Sequence, residues 1–120
     1  MITQKNLLTE AKTKLPLFSK EYDRQVKEDI IDSETGNHIV FSYVFTPLLG
    51  DAIKKKQTHN ILQMFSFLEE MASSADDTVV EVCDQSVLEA LNDEFDDREI
   101  VGYMKPKTKE GYEAIKGYMW

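Results

Sequence analysis

The sequence predicts an all-α fold: a single domain, residues 1–120, built as a bundle of five or six helices. Apolar residues recur at helical spacing along most of the chain. Prolines and capping residues separate these stretches in the way that helix ends require. With 120 residues, of which 42% are hydrophobic and 30% charged, the chain has the size and composition of one globular domain.

Two helices are predicted at the start of the chain. The first follows a Thr3 cap and ends at Pro16, because proline disfavours helical geometry in the residue before it. Its apolar face would consist of Leu7, Leu8, Ala11 and Leu15. The second helix follows a Ser19 cap, and its apolar face would consist of Phe18, Tyr22, Val26 and Ile30. Residues 32–37 have the composition of a turn.

Residues 39–45 are ambiguous. Their β-branched and aromatic side chains favour a strand, and a short β-hairpin within residues 25–45 is one alternative. A buried helical turn is equally consistent, because a short apolar run does not reveal its period. No third strand is evident, and an isolated hairpin is only marginally stable in water. Helical or irregular packing is therefore favoured for this stretch.

Four further helices are predicted after residue 45. Thr46-Pro47 indicates a helix start that fades over residues 54–58, since a hydroxyl cap precedes a proline at the first helical position. The widest apolar stripe follows, made of Ile61, Leu62, Met64, Phe65, Leu68, Met71 and Ala72. Glu69 and Glu70 are predicted to lie opposite that stripe. The next helix is capped by residues 76–78 and buries Val79, Val80, Cys83, Val87, Ala90 and Leu91. After a polar break at 92–97, the last helix begins at Pro106.

The chain offers little for catalysis or metal binding. Its candidate nucleophile and metal ligands are Cys83, His38 and His59, which lie far apart in the sequence. Cys83 falls on a predicted apolar face, where a thiol is unreactive. The acidic residues 93–99 lack the spacing and the central glycine of a calcium loop. We therefore expect no enzyme, no metal site and no cofactor.

Composition also bounds location and partners. Residues 1–6 lack the basic and apolar regions of a signal peptide, and the apolar-rich stretch 39–49 is too short to span a bilayer. The single cysteine suits a reducing compartment, so we expect a cytoplasmic protein with no membrane partner. A pI near 4.7 argues against nucleic acid as a partner, because binding phosphates requires clustered Lys and Arg.

The excess negative charge is confined to one segment. Residues 69–99 contain twelve carboxylates and one base, Arg98. The local charge of this segment is therefore −11, whereas the formal net charge of the whole chain is −8. The rest of the chain is close to neutral. These acids either keep an exposed surface hydrated or attract a cationic protein. In the second case, the predicted contact residues are Glu81, Asp84, Glu89, Asp93, Glu94, Asp96 and Asp97, with Phe95 and Tyr103 as aromatic anchors.

Three stretches carry a resemblance to a family of small, largely uncharacterised bacterial proteins. They are MFSFLEEMA at residues 64–72, VLEAL at residues 87–91 and YMKPKT at residues 103–108. That family has an F-x-F-(L/I)-E-E-M-A helix, a V-L-E-x-L helix and a Y-M-x-P-K-T ending. In size and acidity the chain also resembles the immunity proteins of contact-dependent and other polymorphic toxin systems of bacteria.

The resemblance implies a helical domain and an immunity role, and it transfers no catalytic residues. We therefore expect a protein that binds and neutralises a cognate toxin domain, a basic nuclease, through its acidic surface. The alternative is a helical adaptor or regulatory protein that has no toxin partner and whose acids only solvate it.

Overall fold

Every regular element of the described chain is a helix. The computed structural model describes residues 2–119, and this range contains seven helices and no strand. They are α1 (Leu7–Lys14), α2 (Pro16–Lys27), α3 (37–54), α4 (Thr58–Ala72), α5 (77–94), α6 (Asp97–Ile100) and α7 (Pro106–Met119). The all-α prediction is confirmed, while the predicted count of five or six is one or two short. The unforeseen helix is α6, a single turn within and just after the predicted polar break.

The ambiguous stretch is helical, so the β-hairpin alternative for residues 25–45 is wrong. Phe41, Val44 and Phe45 are fully buried, and Phe41–Phe45 forms a π-helical turn inside α3. The rings of Phe41 and Phe45 stack with centroids 5.3 Å apart, and both lie near the ring of Phe18 in α2. The aromatic residues that suggested a strand therefore form the centre of a helical core.

Thr46-Pro47 does not begin a helix, because α3 already runs through it from residue 37. Proline inside a helix has no N–H to give to the carbonyl four residues earlier, which is that of Tyr43. Gln25 of α2 donates its side-chain Nε2–H to this carbonyl oxygen at 3.0 Å. A side chain from the neighbouring helix therefore supplies the donor that Pro47 lacks, and α3 continues.

The apolar face predicted for α2 is only half right. Pro16 ends α1 as expected, but it also begins α2 at the first helical position, ahead of Ser19. Phe18 and Tyr22 are buried, whereas Val26 and Ile30 are exposed and Gln25 is buried instead. A straight α-helix turns about 100° per residue, so a four-residue spacing drifts away from the core by about 40° per step.

Helix α5 keeps a four-residue spacing on one side. Val79, Cys83, Val87 and Leu91 are all fully buried, and a π-helical segment, Val82–Leu88, lies in the middle of the helix. A π turn holds more residues than an α turn, so it under-winds the helix and offsets the drift. The same segment leaves residues 77, 81, 85, 89 and 93 facing outward.

Helices α3 and α5 run parallel, with their π turns side by side. The Thr46 hydroxyl donates to the backbone oxygen of Ser86 at 2.7 Å, and His38 Nδ1 lies 3.0 Å from Ser86 Oγ. At their far ends, Lys54 forms an ion pair with Glu94 at 2.6 Å. Residues 2–4 lie across the start of both helices, and the Gln4 amide donates to Asp76 Oδ2 at 2.8 Å. These contacts place one broad surface of α3 next to one of α5.

Candidate protein-binding face

Several acids of the 69–99 segment have structural tasks, beginning with Glu69. Its carboxylate accepts hydrogen bonds from the amides of Lys107 at 3.0 Å and Thr108 at 2.9 Å, the second and third residues of α7. Burial opposes the charged carboxylate, but these hydrogen bonds outweigh it and lower the pKa of Glu69. The prediction that Glu69 lies on the solvent side of α4 is therefore wrong: it is half-buried and anchors α7 to α4.

Two other acids cap helices. Asp76 accepts from the amide of Thr78 at 3.0 Å at the start of α5. Asp96 and Glu99 form a capping box around α6, in which the Asp96 amide donates to Glu99 Oε1 at 3.3 Å. The position of Asp96 is therefore set by the start of α6.

Further acids are bound to neighbouring helices. Asp97 pairs with Lys116 and accepts the hydroxyl hydrogen of Tyr112 at 2.7 Å, and both contacts with α7 lower its pKa. Glu94 pairs with Lys54 of α3. Hence two of the predicted contact acids are directed to α7 and to α3, and neither belongs to the outward line of α5.

Asp84 is half-buried between α5 and α7. A Cβ atom at Gly111 would lie 2.8 Å from Asp84 Oδ1, so the glycine allows α7 to pass over this carboxylate. Burial raises the pKa of Asp84, and the nearby charge of Glu89 raises it further. Glu89 follows Asp84 by five residues, the spacing that a π turn aligns.

Glu70 pairs with Lys14 of α1, and the remaining acids form a line that we call the acidic stripe: Asp77, Glu81, Glu89 and Asp93 of α5. They share the outward side of α5 with Gln85, and all are exposed except Glu89, which is half-exposed. Within residues 2–119, the structure shows no ion pair or hydrogen bond to any of their side chains. Of the nine predicted contact residues, the structure therefore brings Glu81, Glu89 and Asp93 together on one face.

The two predicted aromatic anchors are not exposed. Phe95 is 8% exposed and lies in the core against Gly50, and Tyr103 is half-buried with its ring stacked on Phe65 at 6.1 Å. Large exposed apolar side chains lie on α2, α3 and α4, and those of α3 are on the helix that runs beside α5. Ile39 and Tyr43, four residues apart, are each 50% exposed. Sequence reasoning missed them because they belong to the stretch whose structure was ambiguous.

A cavity of about 350 Å³ lies elsewhere, between α4 and the end of α1, and its lining includes His59 and the paired residues Lys14 and Glu70. Cys83 is fully enclosed, and burial raises the pKa of its thiol. Among residues 2–119, no cluster of His, Cys, Asp or Glu has the arrangement of a metal site. Over the same range, no helix combines the length and apolar character needed to cross a bilayer.

A protein family described as "Domain of unknown function (DUF7674)" matches residues 8–119. The chain belongs to that family. The match covers nearly all of the described helices, from α1 to α7. It agrees with a resemblance to uncharacterised proteins and says nothing about toxins or immunity. No curated protein and no solved structure matches the chain.

Proposed function

We propose that this DUF7674 chain is a cytoplasmic immunity protein that binds and neutralises a cognate toxin domain, a basic nuclease. The contact surface is the acidic stripe together with the neighbouring outward side of α3. The observation that supports the proposal is the line of four carboxylates on one helix face without a partner in the described chain.

The acids of the stripe differ from most other acids of the 69–99 segment, which have structural contacts within the chain. Seven of the twelve acids in the segment have caps or ion pairs to account for them: Glu69, Glu70, Asp76, Glu94, Asp96, Asp97 and Glu99. Within the stripe, Asp77/Glu81 and Glu89/Asp93 are like charges four residues apart, and each such pair costs a few tenths of a kcal/mol, on the order of 0.3. A cationic partner would turn that cost into attraction.

A basic nuclease suits the stripe on electrostatic grounds. Its Lys and Arg residues bind phosphates, and carboxylates spaced along a helix can occupy the same groups. Long-range attraction would raise the association rate, while contacts with Ile39 and Tyr43 would slow dissociation. The stripe would thus block the surface with which the toxin binds nucleic acid.

The experiment is a binding measurement between this chain and the toxin domain encoded next to its gene. The Glu81→Gln, Glu89→Gln double variant is compared with Glu34→Gln, Glu113→Gln, which removes the same two charges from exposed positions off the stripe. We expect the stripe variant to lower the association rate constant about tenfold at low salt, and the control to change it little.

Three results would contradict the proposal. They are equal rates for the two double variants, association that does not change between low and high salt, and co-expression that fails to restore growth to cells making the toxin. A gene with no toxin reading frame beside it would favour the alternative, a helical adaptor whose acids only solvate it.

A further inference from the structure

One cavity lies at the junction of the acidic stripe and α3. It has a volume of about 300 Å³, and its lining includes Gly36, His38 and Ile39 of the α3 start and Thr78, Glu81 and Val82 of α5. A Cβ atom at Gly36 would meet nothing within 4 Å, so the cavity is open beside this residue. The cavity therefore connects a carboxylate of the stripe with an exposed apolar side chain.

Hydrogen bonds hold the cavity walls in place. Asn37 Nδ2 donates to the backbone oxygen of Gln4 at 3.2 Å, and the Thr78 hydroxyl donates to Asp76 Oδ1 at 2.6 Å. His38 is held by Ser86, with Nδ1 and Oγ 3.0 Å apart. Glu81 has no such contact among the described residues. The cavity is thus a fixed pocket in which one carboxylate is free to bind.

The lining matches a side chain that is apolar along its stem and cationic at its end. Ile39, half exposed, and Val82, nearly buried, provide the apolar wall, and Glu81 provides the charge. An aliphatic stem packs on apolar surface while its charged head stays at the polar rim. A guanidinium can bind a carboxylate through two parallel hydrogen bonds, which an ammonium cannot.

We propose that this pocket binds an arginine side chain of the partner protein. The proposal rests on the proposed function and deepens it, because it selects one contact of the toxin surface and the chemistry of that contact. The arginine places its guanidinium on Glu81 and its methylene groups on Ile39. Buried arginines are frequent among the few residues that dominate an interface.

The test is an NMR titration of the isotope-labelled chain with N-acetyl-arginine amide. We expect weak, saturable binding with shift changes at the backbone amides of residues 36–39 and 78–82. Glu81→Gln should weaken this binding roughly tenfold, since it removes a charge-assisted hydrogen bond, whereas Glu113→Gln should not. Ile39→Ser should weaken it as well, and N-acetyl-norleucine amide, which has no charge, should not bind.

Equal affinity of the Glu81→Gln variant, or equal binding of N-acetyl-lysine amide, would overturn the arginine assignment. So would shifts spread evenly along the stripe to Asp93. Both substituted side chains are exposed, and unchanged thermal unfolding would show that the variants fold. Unchanged N-acetyl-arginine amide binding by the Glu81→Gln variant, together with slowed toxin association of the Glu81→Gln, Glu89→Gln variant, would end the pocket proposal alone. Arginine binding without toxin binding would end the proposed function alone.

Discussion

Helices α2 and α5 carry the same apolar spacing and treat it differently. In and just after α2, the exposed fraction rises along the series from Phe18 (0%) and Tyr22 (7%) to Val26 (37%) and Ile30 (49%). In α5 the corresponding series is Val79, Cys83, Val87 and Leu91, and all four are 0% exposed. The π segment of α5 under-winds that helix, whereas α2 keeps its regular pitch through Val26 and has ended before Ile30. A four-residue apolar spacing therefore predicts one continuous buried face only where the helix is under-wound.

The same difference sets the electrostatics of the two helices. In α2, Arg24 pairs with Glu21 and Glu28, three and four residues away, so opposite charges meet at α-helical spacing. In α5, the π turn aligns Asp84 with Glu89, two like charges, and it holds the acidic stripe in one line. The pitch of α5 therefore shapes both its buried side and its proposed contact side.

The largest expected difference in stability is between alanine substitutions at the third apolar position of each series. Val87→Ala should lower the free energy of unfolding by about 2 kcal/mol, because it empties fully buried space under α5. Val26→Ala, the matched change on α2, should cost less than about 0.5 kcal/mol. Urea unfolding curves measure both. Similar costs at the two positions would mean that Val26 is also held in the core.

A second prediction concerns Gln25, the residue that the drift of α2 brings to the core. Gln25→Ala should cost about 1–2 kcal/mol, because the Tyr43 carbonyl loses its side-chain donor. Pro47→Ala restores a backbone N–H four residues after Tyr43, so in that background the Gln25→Ala cost should fall by about 1 kcal/mol. A double-mutant cycle measures this coupling. Strictly additive changes would show that Gln25 does not stand in for the missing N–H of Pro47.

Two substitutions that remove a charge should have the smallest effects on stability, and these effects should have opposite signs. Glu21→Gln should lower stability at pH 7, and Asp84→Asn should raise it, each by on the order of 0.5 kcal/mol given solvent screening. Arg24, by hydrogen bonding, lowers the pKa of Glu21 from 4.5 to about 2, so its contribution is present above pH 4.5 and is lost as the pH falls towards 2.

Asp84 follows the reverse course. Burial raises its pKa above 3.8, so its charge destabilises the fold increasingly as the pH rises through that value, and the gain from Asp84→Asn disappears in stronger acid. Thermal unfolding of both variants, followed from neutral pH down to about 2, the lowered pKa of Glu21, measures the two profiles. Profiles with the same sign would show that the charge of Asp84 does not destabilise the fold in the way that its burial implies.

The helical fold could be predicted because its signals are local. Pro16, the 76–78 cap and the apolar stripe of α4 each indicate a helix from a few neighbouring residues. The π turns could not be predicted from composition, since they leave no mark on residue types. Their one signal is a buried four-residue period that persists from Val79 to Leu91, longer than a straight α-helix can keep it on one side.

The candidate site was harder to predict because contacts with residues far away in the sequence decide which side chains are exposed. Glu69 looked like a surface acid, yet its partners Lys107 and Thr108 follow 38 and 39 residues later. Phe95 looked exposed among acids, but it follows the end of α5 and packs on Gly50 of α3. Which carboxylates remain free therefore depends on tertiary packing, whereas their concentration in one segment is plain from the sequence.

The hydrogen bonds from the first turn of α7 to Glu69 make the attachment of that helix sensitive to acid. Because the folded pKa of Glu69 is lowered, its contribution is lost as the pH falls through that pKa, when the carboxylate takes up a proton. The aromatic interior around α3 and α4 contains no group that depends on this proton. Acid would therefore loosen the joint between α7 and α4 while leaving the packing of the aromatic interior unaltered.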